Sequence, residues 1–261
     1  MRLDPISLYD YEARAQQMLP HDYWDFIAGG SKDELTTQRN RSAFDAMSLR
    51  PRFLRDVTER QLATTVLGTP ISFPVMVRPT GGHKLAHPEG ECATARGAGM
   101  SQTLMMLSTS SHCSLEDVAK VASGPLWFQL YHRGYDLTKM LVQRAEHAGY
   151  KAIALTVDTP LPAPKERDIR NRYENPFPLG NFHTLTEELP AMSGTDEAPN
   201  WQPARVPALT WKELEWLRSL TSLPLVLKGI LDPDDAAQAV ETGADGIVVS
   251  NHGARNIDTL P

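Results

Sequence analysis

Leu225-Val-Leu-Lys-Gly-Ile-Leu-Asp-Pro-Asp-Asp235, followed by Gly246-Ile-Val-Val-Ser-Asn-His-Gly-Ala-Arg255, decides the fold. Each stretch opens on a short, continuous apolar run, the pattern of a parallel strand covered on both faces. Between the runs, Asp232 stands three positions before the acid Asp235, and Pro233 sits where a first-turn proline is tolerated, so a helix is predicted to start there. Strand, helix, strand is one βα unit and the beginning of the next.

The same unit recurs upstream. Ile71 to Val77, Thr103 to Leu107, Leu126 to Tyr131 and Ala152 to Val157 are further apolar runs, and Ser114-Leu-Glu-Asp117 and Thr210-Trp-Lys-Glu213 are further helix starts. With Leu225 to Leu227 and Gly246 to Val249 they predict six strands. Repeated βα without a GxGxxG after the first strand favours an α/β fold of the TIM (βα)8 type over a dinucleotide-binding sheet, though periodicity alone separates neither. Ahead of the repeat, Leu8 to Leu19 and Asp22 to Ala28 read as helices, the second stopped by Gly29-Gly30. The chain, 1–261, is therefore expected to be one domain: a helical segment over 1–67 and a partial barrel over 68–261. The stretch 159–209 carries nine of the 20 prolines and no sustained period, so it is expected to be a long loop, on the catalytic face of a barrel and a candidate lid.

Composition narrows the function classes. The 261 residues are 41% hydrophobic and 22% charged with a net charge of -6, an ordinary globular balance. Acidity, the lack of a basic run and the lack of an apolar stretch of about 18 residues argue against nucleic acid and against a membrane span. Cys92 and Cys113 have no metal-ligand or CxxC spacing, so no metal is expected. The first residues, MRLDPISLYDYEARA, lack the apolar core of a signal peptide, and a reducing cytoplasm is the expected location.

In a barrel the active site is built at the C-terminal ends of the strands. Polar residues gather there: Pro79-Thr80-Gly81, Ser108, Gln129 with Tyr131, Thr156 with Asp158, Lys228, and Ser250, Asn251, His252 and Arg255. A serine or threonine at a strand end is more often a turn or cap residue. Gln129 and Lys228 interrupt apolar runs, where an unpaired amide or ammonium costs several kcal/mol, so a bound polar ligand is expected to offset them. Lys228 alone also admits a Schiff-base reading. A histidine beside an arginine that can fork onto a carboxylate makes His252 and Arg255 a candidate proton-abstraction site.

Asp25-Phe-Ile-Ala-Gly-Gly30, Arg50-Pro-Arg52, Arg55-Asp-Val57, Pro79-Thr-Gly81, His87-Pro-Glu-Gly-Glu91, Phe128-Gln-Leu-Tyr131, Thr156-Val-Asp-Thr-Pro160, Leu227-Lys-Gly229 and Ser250-Asn-His-Gly-Ala-Arg255 occur in that order along essentially the whole chain. The ordered set resembles the FMN-dependent L-2-hydroxy acid oxidases and dehydrogenases, the group of glycolate oxidase, lactate oxidase, mandelate dehydrogenase and hydroxymandelate oxidase. The resemblance implies FMN as cofactor and oxidation of a 2-hydroxy acid to the 2-oxo acid, with oxygen or another electron acceptor. It makes His252 the base that takes a substrate proton as a hydride equivalent moves to flavin N5, and Asp158 the carboxylate supporting the imidazolium. Arg255 becomes the carboxylate clamp, Tyr131 the phenol on the substrate, and Lys228 the cation beside flavin N1. Ser108, Gln129, Thr156 and Ser250 would hold the ring or ribityl, with Pro79, Thr80 and Gly81 near N5. Family members are often tetramers, which implies a homo-oligomer for a complete chain.

Departures from the family pattern bear on substrate. Phe26 stands where many members have a tyrosine that helps clamp the carboxylate, Lys165 where many have a second arginine, and Ser110 where an aromatic often walls the pocket. Those changes imply a roomier, less polar pocket, for a larger aliphatic or aromatic 2-hydroxy acid. Gly81 in place of alanine leans toward a dehydrogenase, although some oxidases share it. Arg78 replaces a small residue and is expected to crowd the flavin face unless it points away. Two βα units are expected to be missing, and with them the family's Asp-Gly-Gly-x-Arg and Gly-Arg phosphate segments, so the chain reads as C-terminally truncated. The competing reading is a non-catalytic or partner-dependent partial barrel.

Overall fold

The chain follows these local signals closely in the computed structural model, which describes residues 4–160, 163–183 and 209–261. It opens with α1 (Leu8–Met18), α2 (His21–Ala28) and α3 (Leu35–Asp45), then an antiparallel hairpin of β1 (Thr64–Val66) and β2 (Thr69–Ile71). There follow α4 (Gly90–Met100), β3 (Met105–Ser108), α5 (Leu115–Val121), β4 (Leu126–Leu130), α6 (Tyr135–His147) and β5 (Ile153–Thr156). After α7 (Glu166–Asn171) come α8 (Trp211–Leu220), β6 (Leu225–Ile230), α9 (Pro233–Glu241) and β7 (Gly246–Val249). The helix starts have their physical cause in place. Ser114 accepts from the Asp117 amide, Thr210 and Glu213 form a reciprocal capping box, and Asp232 caps α9 with Pro233 in its first turn.

Strands β3 to β7 form one parallel sheet in sequence order, each paired with the next, as successive βα units winding one way into a barrel wall. The sheet has five strands among the described residues, not six. Ile71 to Val77 is the run that fails: Ile71 closes the hairpin, Pro74 has no amide to give a ladder, and only Val77 bridges to Met105. Of the stretch 159–209, expected to be a long loop, residues 161–162 and 184–208 lie outside the described residues. The described part contains α7 and a buried turn in which Asn181 accepts from the Leu115 amide at 2.9 Å and donates to the Thr109 carbonyl at 2.9 Å. Among the described residues no helix is long and apolar enough to cross a membrane.

Strand alternation divides the sheet into two faces. Leu107, Phe128, Leu155 and Leu227 point into the core shared with the helices, against Leu141, Val142, Leu214 and Leu217. Met106, Trp127, Ala154 and Val226 form a second apolar layer on the opposite face. Two residues further along each strand, on that same face, stand Ser108, Gln129, Thr156 and Lys228. Ser108 pairs with Gln129 and Thr156 with Lys228 in the strand register. The interior thus changes from an apolar layer to a polar one in a single step toward the strand ends. Phe128, fully buried and edge-on to Tyr150 at 5.9 Å, is central to the helix-side core. Phe128→Ala is expected to destabilise the protein by about 3–5 kcal/mol, read as a lower urea midpoint at unchanged slope.

α3 escaped the sequence reading because its sequence, LTTQRNRSAFD, has no apolar stripe and buries only Thr36. A remote carboxylate starts it. Asp258 accepts from the Thr36 amide at 2.8 Å and the Leu35 amide at 3.2 Å, which holds the Asp258 carboxyl well below the usual range.

Candidate active site

The polar layer is hydrogen-bonded within itself. Ser108 Oγ donates to Gln129 Oε1 at 3.1 Å, the Thr109 amide approaches the same oxygen at 3.3 Å, and Gln129 Nε2 donates to Thr156 Oγ1 at 2.7 Å. Within the protein Gln129 thus satisfies its oxygen and one of its two amide hydrogens. Lys228 is 7% exposed, its ammonium 3.7 Å from Asp158 Oδ2, and burial pushes its pKa down against the pull of that carboxylate.

The His252 turn is held under backbone strain. His252, Gly253 and Ala254 have φ of 58°, 64° and 61°, left-handed values that cost non-glycine residues roughly 1–2 kcal/mol each. Neighbours fix the turn. The His252 amide donates to Ser250 Oγ at 3.0 Å, and Asn251 exchanges amide hydrogen bonds with Asn40 of α3 at 2.7 and 3.3 Å. The Ser31 amide donates to the Ala254 carbonyl at 2.8 Å, and Arg255 Nη1 donates to the Gly29 carbonyl at 2.7 Å. The N-terminal helices thus clasp the loop that carries the histidine and the arginine. Nothing in the local sequence marks Asn40 for this task.

At the centre, His252 Nδ1 lies 2.7 Å from Asp158 Oδ1 and 3.1 Å from Lys228 Nζ, and His252 Nε2 lies 3.3 Å from the Tyr131 hydroxyl. A carboxylate only accepts and an ammonium only donates, so Nδ1 serves one of them. The shorter, charge-assisted contact assigns the Nδ1 proton to the Asp158 bond. Nε2 then carries the lone pair and faces Tyr131, whose pKa burial and the Asp158 charge push up to about 12, keeping the phenol a donor. Gly229 makes the approach of Asp158 possible. Its φ is +109°, and a Cβ there would stand 2.4 Å from Asp158 Cγ. Gly229→Ala is expected to displace Asp158 and slow substrate oxidation by about 10²-fold, measured as the single-turnover rate.

Arg255 lies 5.1 Å from the Phe26 ring centroid and Lys165 Nζ 5.4 Å from it, so both cations border the same aromatic ring. Lys165 pairs with Asp168 at 3.6 Å, and burial, then the Arg255 charge, push its pKa down. Arg255 is likewise lowered by burial, against the Asp168 carboxylate. α7 reaches this face because Arg167 bonds Asp25 at 3.3 Å and Glu34 at 2.5 Å, while Asn171 bonds Asp25 at 2.8 Å. Asp168, in α7, and Tyr173, just past it, also border this ring, and nothing in the local sequence marks either for that place. Pro79, Thr80 and Gly81 lie on the adjoining rim, where a Cβ on Gly81 would stand 2.8 Å from the Ser110 carbonyl. Arg78 turns toward the His252 loop: its Nη1 is 3.2 Å from where a Gly253 Cβ would stand, and its charge opposes protonation of Lys228 and Arg255.

A parallel βα repeat brings a polar layer, a His–Asp pair and a group of cations to one rim at its strand ends, where a barrel enzyme carries its active site. The family model for FMN-dependent dehydrogenase matches residues 15–261. The peroxisomal (S)-2-hydroxy-acid oxidase GLO4 of Oryza sativa subsp. japonica is 44% identical over 260 residues, covering 98% of this chain and 71% of that protein. An L-lactate oxidase of Nostoc sp. is 48% identical over 263 residues, covering 97% and 72%. Among solved structures, mandelate oxidase with 3,3-difluoro-2-hydroxy-3-phenylpropionic acid superposes with a TM-score of 0.86 at 39% identity, covering 98% of this chain and 71% of that one. A soluble mutant of the membrane-associated (S)-mandelate dehydrogenase from Pseudomonas putida gives 0.89 at 34%, covering 98% and 73%. The chain belongs to the FMN-dependent dehydrogenase family. It is an FMN-dependent enzyme of the 2-hydroxy acid oxidase and dehydrogenase kind.

Proposed function

We propose that the substrate is an L-2-hydroxy acid with a bulky aliphatic or aromatic side chain, and that His252 is the base. The observation that carries this is the linked set of Tyr131, His252 and Asp158, with Nδ1 committed to the carboxylate and Nε2 turned to the phenol. Nε2 takes the substrate proton, Asp158 stabilises the imidazolium at 2.7 Å, and Tyr131 donates to the substrate oxygen. Arg255 and Lys165 hold the substrate carboxylate, and Phe26 gives that end an apolar wall. Phe26 and Ser110, both smaller or less polar than the groups common at their positions, support the larger substrate.

The residues fit FMN. Ser108, Gln129, Thr156 and Lys228 make a polar row across four strand ends, with hydroxyl, amide and ammonium groups that match the heteroatom edge of a planar flavin ring. Lys228 would favour negative charge developing at that edge, Pro79, Thr80 and Gly81 would border the ring, and Ser250, which supports the His252 turn, would help hold the ribityl. Bound FMN supplies the acceptor for the hydride equivalent that leaves the substrate α-carbon. Oxygen or a second electron acceptor completes turnover. A homo-oligomer in the cytoplasm is the assembly and location we assign; the unpaired Cys92 and Cys113 suit a reducing compartment.

The test is the visible spectrum of the purified protein with added FMN. A flavin spectrum bleached anaerobically by a bulky L-2-hydroxy acid, and less readily by a two-carbon one, is the expected result. Protein that takes up no FMN, or flavin that no 2-hydroxy acid bleaches, would sink the reading.

A further inference from the structure

Phe26 raises a chemical question that Arg255 and Lys165 leave unanswered. Its ring carries no polar atom at a position where the family resemblance implies a phenol on the substrate carboxylate. The nearest phenol comes from another element. Tyr173, just past α7, stacks on Phe26 with centroids 4.4 Å apart and planes 16° from parallel, and Tyr23 packs edge-on against it at 6.4 Å. Its hydroxyl is buried and has no hydrogen-bond partner among the described residues. A buried hydroxyl without a partner is costly, and one that persists beside a group of cations is explained by a ligand that completes it.

We infer that Tyr173 supplies the phenolic donor to the substrate carboxylate that Phe26 lacks, acting with Arg255 as a positioning residue. The inference rests on the 2-hydroxy acid reading above. The stack sets Tyr173 against the ring from whose centroid Arg255 and Lys165 lie 5.1 and 5.4 Å, and the charges of Arg255 and Asp168 both act on its phenol. Its position is fixed from both sides: Asn171, two residues earlier, is bonded to Asp25 of α2, the helix that carries Phe26. Burial first, then the charge of Asp168 and the neighbouring Tyr23 and Asp22, raise the pKa of Tyr173 against Arg255. The phenol therefore stays protonated, as a donor to a carboxylate requires. Asp168 serves the pair by holding Lys165 at 3.6 Å.

Tyr173→Phe removes one oxygen and keeps the stack. In the FMN-loaded protein, the Kd for a 2-oxo acid, read from the shift of the flavin spectrum, is expected to rise about tenfold, the worth of one charge-assisted hydrogen bond. KM for the hydroxy acid should rise with it while the limiting rate changes little. Sulfite, which perturbs the flavin without a carboxylate, is expected to bind as before. Adding Phe26→Tyr to the variant should restore the affinity, the phenol returning from the other face of the stack. An unchanged Kd for the 2-oxo acid overturns the inference, and so does an equal weakening of sulfite, which would mark a collapsed pocket. A wild-type flavin that no 2-hydroxy acid bleaches overturns the substrate reading itself, whereas bleaching by wild type with an unaffected variant overturns only the role of Tyr173.

Discussion

Reduction of the bound flavin by a 2-hydroxy acid slows by about 10²- to 10⁴-fold when His252 is replaced by glutamine, the range expected for loss of a positioned base. The amide of glutamine can still donate toward Asp158, so the variant removes the lone pair at Nε2 while keeping a polar side chain on the carboxylate. Backbone strain has to be controlled, because residue 252 sits at φ 58°. Asparagine tolerates that region best among non-glycine residues, so His252→Asn is the companion variant, and both should fall together. The carboxylate clamp is untouched, so affinity for a 2-oxo acid should stay within a few-fold of wild type. Asp158→Asn acts through the same imidazole, and the double variant should be little slower than His252→Gln alone, as for groups that work as a unit. The measurement is anaerobic rapid mixing. A reduction rate within tenfold of wild type would remove His252 from the role of base.

How far the site could be read from sequence depends on the range of the forces that build it. The polar layer was legible because the signal is local: Ser108 and Thr156 close apolar runs and Gln129 and Lys228 interrupt them near their ends, and the strand pleat puts all four on the face of the residue two places before. The caps Ser114, Thr210 and Asp232 were legible for the same reason. Ile71 to Val77 misled because apolar content outweighed Pro74, which denies the run its ladder. α3 and the His252 turn lie at the other extreme. They depend on Asp258 bonding Thr36 across 222 residues and on Asn251 bonding Asn40 across 211, pairings that leave no trace in a local window. Tyr173 was invisible for a related reason, since its meaning comes from the ring it stacks on, in a helix near the other end of the chain.

Arg255→Lys, conventionally conservative, is expected to lower kcat/KM by about 10²-fold or more, mostly through KM. Geometry is the first reason. Arg255 Nη1 is committed to the Gly29 carbonyl at 2.7 Å and also reaches the Ile27 carbonyl at 3.4 Å, so the guanidinium ties down the end of α2 with one arm and leaves other donors for a carboxylate. A lysine can point at one of those targets only. Charge is the second reason. Burial already lowers the pKa of Arg255, with the Arg78 charge adding to it, and arginine starts high enough to stay ionised. A lysine in that place starts lower, beside Lys165, whose own pKa is pushed down by burial and by charge at position 255. The sign of the pH dependence follows: a cation with a depressed pKa holds its charge below that pKa and loses it as pH rises. The lysine variant should therefore lose kcat/KM further as pH is raised, over a range where wild type loses less. Arg255→Met separates the two causes, because it removes the charge at every pH and should show a low kcat/KM without the extra slope. If the lysine variant shows a low kcat/KM that runs parallel to wild type across pH, with none of the extra loss, fork geometry accounts for the whole effect of Arg255 and depressed ionisation for none of it.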